Sequence, residues 1–107
     1  LLTTTTLPAY AQNLARILTA IRVSGGYRGK LVLMKLYAPN QDPLWIQAIT
    51  ALNQIMTDVG SLFGARFADG FTAFQQAAAP HGGDPCRAGL LVRISATTCD
   101  SHPSLYG

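Results

Sequence analysis

The sequence predicts an α/β fold, a partial three-layer α/β/α sandwich with parallel strands, and three observations carry that expectation. Apolar residues recur at helical spacing in two stretches, Tyr10, Leu14, Ile17, Leu18 and Ile21, then Trp45, Ala48, Ile49, Leu52, Ile55, Met56 and Val59. Runs of strand length follow each, Leu31 to Leu36 and Gly64 to Ala68. Glycine, proline and aspartate punctuate every change of period. Helix, strand, helix, strand, helix is the order that sets helices on the faces of a parallel sheet.

The first helix starts at Thr6-Leu7-Pro8, with Thr6 as its cap and proline in the first turn, and ends at Ser24-Gly25-Gly26. The run LVLMKL, Leu31 to Leu36, lacks alternation and reads as a strand buried in a parallel sheet. Tyr37-Ala38-Pro39-Asn40-Gln41 is the loop leaving it. Asp42-Pro43 caps the second helix, whose buried side begins at Trp45 and which ends around Ser61 in Gly60-Ser61-Leu62. After the second strand, Asp69-Gly70 turns the chain into a short helix carrying Phe71 and Phe74. From Pro80 onward, glycine, proline and cysteine mark a long ordered loop. In sheets of this kind, sites form at the C-terminal ends of the strands. Tyr37, Asn40 and Trp45 therefore serve equally as cleft residues or as loop and core residues.

A chain of 107 residues supports one domain, 1–107, and a domain of that size buries only about two-thirds of its unfolded surface. With 49% hydrophobic and 12% charged residues, it is apolar for its length, as expected of a core shared with further polypeptide. A two-strand piece is too small to be this fold alone, and Leu14, Ile17 and Ile21 are expected to be left uncovered. The net charge of +3 is spread over the whole chain without interleaved aromatics, which argues against nucleic-acid binding. No stretch reaches the roughly 18 apolar residues of a membrane span. The start, Leu1-Leu2 and four threonines, has neither a basic stretch nor a cleavage site and does not read as a signal peptide.

Cys86 and Cys99 are either a disulfide, which points to an exported protein, or two buried thiols; the disulfide is the expectation. His81, Cys86, Cys99 and His102 also make a two-Cys, two-His set of the kind that closes a zinc site. There is no Cys-x-x-Cys, and His81 sits in His81-Gly82-Gly83, so no metal is expected. Gly25-Gly26-Tyr27-Arg28-Gly29-Lys30 is not a phosphate loop: it runs from helix to strand and has Leu31 where a metal-binding hydroxyl belongs.

The most chemically loaded stretch is Cys99-Asp100-Ser101-His102-Pro103-Ser104, with Gly107 five residues after the histidine. An imidazole acts as a base when an acceptor holds one ring nitrogen and the other faces a nucleophile. This block resembles the last sequence block of the GDSL/SGNH hydrolases, where a His-Pro follows an Asp. The helix, the Tyr37-Ala38-Pro39 loop after a strand, the long helix and Asp69 ahead of a Phe-containing segment are similar to that family's C-terminal half. The resemblance implies a flavodoxin-like SGNH hydrolase fold whose N-terminal half lies outside this sequence. It also implies serine-dependent hydrolysis of a small-molecule, lipid or glycan ester, without metal or cofactor.

In that reading His102 is the general base and Asp100 its orienting partner, with Tyr37 and Asn40 in the substrate cleft. The family's Asp most often lies three residues before the His, where this chain has Cys99; Asp100 or a main-chain carbonyl then orients the ring. The family's Gly-Asp-Ser block is absent, and none of Ser24, Ser61, Ser95, Ser101 and Ser104 lies in a nucleophile motif. The segment by itself is thus expected to be inactive. The reading from a different class is a small non-catalytic secreted binding module whose disulfide loop is simply a surface.

Overall fold

In the computed structural model, which describes residues 2–107, the chain is mixed α/β. Leu1, the first residue of the expected non-signal start, lies outside the described residues. The helices are α1 (Leu7–Thr19), α2 (Pro43–Leu62) and α3 (Gly70–Ala78). The strands are β1 (Val32–Met34), β2 (Arg66–Ala68), β3 (Leu91–Arg93) and β4 (Cys99–Pro103). They form two separate two-stranded sheets, β1–β2 parallel and β3–β4 antiparallel, so the expectation of parallel strands holds for the first pair only. Among the described residues, no helix is long and apolar enough to cross a membrane. Two compact units divide the chain: described residues up to Lys35 with 50–68, and 36–49 with 69–107.

In the first unit, α1 follows directly on a π-helical turn, Leu2–Thr6, and runs into another, Ala20–Ser24. Thr6 therefore has helical angles and its side chain makes no capping bond, which corrects its assignment as the cap. The helix does end at Gly25, and Gly26 takes a φ of +63°. Leu18 is fully buried, Leu14 and Ile21 are half-buried, and Ile17 is exposed. Arg22 fastens the turn that follows: Nε donates to the Phe63 carbonyl at 2.9 Å, and Nη1 to those of Tyr27 and Gly29.

The β1–α2–β2 crossover pairs Val32 with Arg66, Leu33 with Phe67 and Met34 with Ala68. The strand predicted over Leu31 to Leu36 is shorter, and only Leu33 is turned inward; Val32 and Met34 are 59% and 62% exposed. Its continuous apolar run was read as burial on both faces, whereas this unit covers one.

Helix α2 ends at Leu62, within one residue of the expected end, in a Schellman motif around Gly64 (φ +71°), with Ala65 N–H on Gly60 O. Gly60 is buried where a Cβ would lie 2.8 Å from Leu33 Cδ1 and 3.0 Å from the Phe67 ring. Close approach of helix to strand, not helix termination, is why glycine stands here. Alanine at this position gains about 1 kcal/mol of helix propensity but displaces a stiff ring. We expect Gly60→Ala to lower stability by about 1–2 kcal/mol net; an unchanged urea midpoint would count against this packing.

In the second unit, Asp42 caps α2 as expected, its carboxylate accepting from Leu44 N–H at 3.0 Å. Ile49 is buried, but Trp45, assigned to the same buried side, is 50% exposed. Asp69 caps α3 by accepting from Thr72 N–H at 3.0 Å and from the Thr72 hydroxyl. The stretch read as a long loop after Pro80 contains the β3–β4 hairpin, with Leu90 and Leu91 buried. Its turn is tied by the Ile94 and Ser95 N–H groups donating to the Thr98 carbonyl. The run Leu90-Leu91-Val92-Arg93-Ile94 was the available signal for β3, masked by the glycines and cysteines around it.

Candidate active site

Strand β4 carries the residues singled out in the tail, and its pairing is irregular there: Leu91 pairs with Pro103 and Arg93 with Cys99, so the register shifts over Asp100 to His102. Within that span the Asp100 side chain turns onto the backbone two residues on, as in an Asx turn. One carboxylate oxygen, Asp100 Oδ1, lies 2.7 Å from the His102 backbone nitrogen and 3.2 Å from His102 Nδ1. An ionised carboxylate only accepts, so in the neutral ring this contact places the proton on Nδ1 and the lone pair on Nε2. The alternative of a main-chain carbonyl on the ring is not what the geometry shows. The spacing of two is sufficient, because the carboxylate that accepts from the His102 backbone N–H also lies beside its ring.

The backbone N–H of His102, and then its ring, hold the Asp100 carboxyl below its ordinary pKa. A lowered folded-state value means that the contact is fully present above the unfolded value and is lost as pH falls through the lowered one. The carboxylate thus remains an acceptor throughout the neutral range. His102 is the more open partner, with its side chain 80% exposed against 39% for Asp100.

Cys86 and Cys99 form the expected disulfide, with Cα atoms 5.7 Å apart. Both thiols are consumed by it, which removes the zinc set of His81, Cys86, Cys99 and His102. Cys99 opens β4, so the bridge fixes the strand immediately before Asp100. On the other side, Arg93 Nη2 donates to the Cys86 carbonyl at 3.2 Å.

A cavity of about 620 Å³ adjoins this strand within the second unit. Its wall includes Tyr37, Asn40, Trp45, Ile49 and Asp100 together with the disulfide. The three residues placed near the strand end by sequence, Tyr37, Asn40 and Trp45, thus share one cavity. His102 is not part of the wall. The charged residues in it are Asp84 and Asp100, both acidic although the chain is basic overall. Asp84 faces inward, accepting from Cys86 N–H at 2.9 Å.

Two contacts were beyond local sequence reasoning. The Tyr37 hydroxyl donates to the Ser101 carbonyl at 2.5 Å, across 64 residues of sequence. The Tyr37 ring stacks on Phe74, centroids 4.0 Å apart and planes 12° from parallel. A phenol that ends a strand run signals a polar partner, but nothing in its neighbourhood names that partner. Three serines are engaged locally: Ser61 Oγ donates to Thr57 O, Ser104 Oγ to Gly89 O, and Ser95 Oγ pairs with Thr98 Oγ1. Compared with models of protein families, with curated proteins and with solved structures, the chain shows no match.

Proposed function

We propose that this segment supplies the general base of a serine-dependent carboxylic ester hydrolase of the SGNH type. The supporting observation is the Asp100 Oδ1 to His102 Nδ1 contact at 3.2 Å on a strand pinned by a disulfide. In this reading Nε2 takes the proton from a serine hydroxyl as the oxygen attacks the ester carbonyl. The imidazolium, stabilised by Asp100, then protonates the departing alcohol. Water enters by the reverse of these steps and frees the acid. The serine comes from polypeptide outside these 107 residues, since the serines present are spent on local hydrogen bonds or lie outside any nucleophile motif.

The fold proposed with this function is the flavodoxin-like three-layer sandwich, of which the β1–α2–β2 crossover is one repeating unit. The disulfide supports placement in an oxidising compartment, hence a secreted protein. Small-molecule, lipid or glycan esters are the substrate classes in view, and the cavity beside β4 is the place for the group they carry. The test is hydrolysis of p-nitrophenyl esters by the polypeptide translated from the whole reading frame, compared with its His102→Ala variant. Turnover that ignores His102 would refute the proposal.

A second reading, a small non-catalytic secreted binding module, draws on the cavity and its half-exposed Trp45. Ligand binding that survives His102→Ala, with no ester turnover in the longer polypeptide, favours it.

A further inference from the structure

We infer that Tyr37 is a positioning residue for the Asp100–His102 pair, holding β4 from the outside through a phenol clamped between Phe74 and the Ser101 carbonyl. The inference rests on the proposed role of His102 only for its functional meaning; the geometry stands apart from it. Ser101 is the residue between the two partners, and its carbonyl belongs to the peptide plane that leads into His102. A hydrogen bond of 2.5 Å at that carbonyl fixes the strand against rotation about its own axis. Such rotation would swing Asp100 and His102 together and alter the approach of Nδ1 to Oδ1.

The phenol is itself held. Its ring lies flat on Phe74 of α3, the helix that Asp69 caps. Stacking restrains ring rotation and tilt while the hydroxyl donates to the Ser101 carbonyl. Tyr37 thus lines the cavity and also acts as a strut. Burial, and then the nearby Asp100 carboxylate, push its pKa above the ordinary value. The hydroxyl consequently stays protonated, and stays a donor, across the working range of a histidine base.

The experiment reads His102 directly. The chain has two histidines, so ¹⁵N imidazole signals are assigned by comparison with His102→Gln. In the unaltered protein the tautomer protonated on Nδ1 dominates. Tyr37→Phe deletes one oxygen and keeps the stack; we expect the excess of that tautomer to fall about three- to tenfold, the range one net hydrogen bond sustains. Phe74→Leu shifts it in the same direction by less, while the disulfide and far-ultraviolet dichroism stay as they were. An unchanged tautomer ratio in a folded Tyr37→Phe overturns the inference.

If Tyr37→Phe does not fold, Phe74→Leu carries the test, and an unchanged tautomer ratio in that folded variant overturns the inference. Neither readout involves ester turnover. Absence of hydrolysis in the longer polypeptide removes the base role and leaves the strut, whereas an unchanged tautomer ratio removes the strut and leaves the base.

Discussion

Substitution of His102 by alanine is expected to lower ester turnover by the full polypeptide about 10²–10⁴-fold, the usual worth of a positioned base. The loss falls on kcat, since the ring meets the serine proton and the leaving oxygen and not the bulk of the substrate. KM stays near its original value because the cavity wall does not include His102. Asp100→Asn lowers kcat in the same direction: an amide presents its carbonyl or its NH₂ to Nδ1, and the second choice selects the tautomer with no lone pair on Nε2. Steady-state kinetics with p-nitrophenyl esters separate these effects, and a His102→Ala enzyme retaining half of its kcat would contradict the assignment.

Opening the Cys86–Cys99 bridge is the second large perturbation. Its loop is of the length for which closure contributes about 3 kcal/mol through the unfolded chain. For a protein of this size that corresponds to a fall of about 10–20 °C in melting temperature. Cys86→Ser with Cys99→Ser, or a phosphine reductant, produces it. The consequence reaches beyond stability, because the bridge anchors β4 one residue before Asp100. Reduction therefore broadens the His102 ring signals well below the melting point. A melting temperature that does not change on reduction would show that the hairpin holds itself.

The elements legible in the sequence were those with local physical causes. Asp42 and Asp69 announce helix starts because a carboxylate two or three residues ahead of a free N–H is a complete instruction. Thr6 gave the same signal and does not cap, since the four residues before it continue the helix backwards. The packing role of Gly60 was hidden for a related reason: a glycine near a helix end serves either termination or close approach, and only the position of Phe67 decides between them. The exposure of Val32, Met34 and Trp45 could not be foretold, because apolar periodicity marks a face without saying what covers it.

The candidate site divides along the same line. His102, Asp100 and the Cys86–Cys99 bridge lie within one short stretch and its near neighbour, and their residue types alone identify the chemistry they suit. That a spacing of two brings Asp100 and His102 together became clear only with the backbone of β4, whose irregular register lets the carboxylate reach both the N–H and the ring. Tyr37 was placed near the cleft by its position at a strand end, and it does line the cavity, but its contacts could not be foreseen. Its partners, Ser101 and Phe74, lie 64 and 37 positions away in a chain whose local pattern contains neither.

The central claim is that His102 serves a serine carried elsewhere in the same polypeptide. Its most direct test is to treat the full translated product with a fluorophosphonate probe and map the adduct by mass spectrometry. The account predicts one adduct, on the serine of a Gly-Asp-Ser sequence outside the 107 residues, formed far more slowly in the His102→Ala variant. No adduct, an adduct on Ser24, Ser61, Ser95, Ser101 or Ser104, or labelling indifferent to His102 would contradict it.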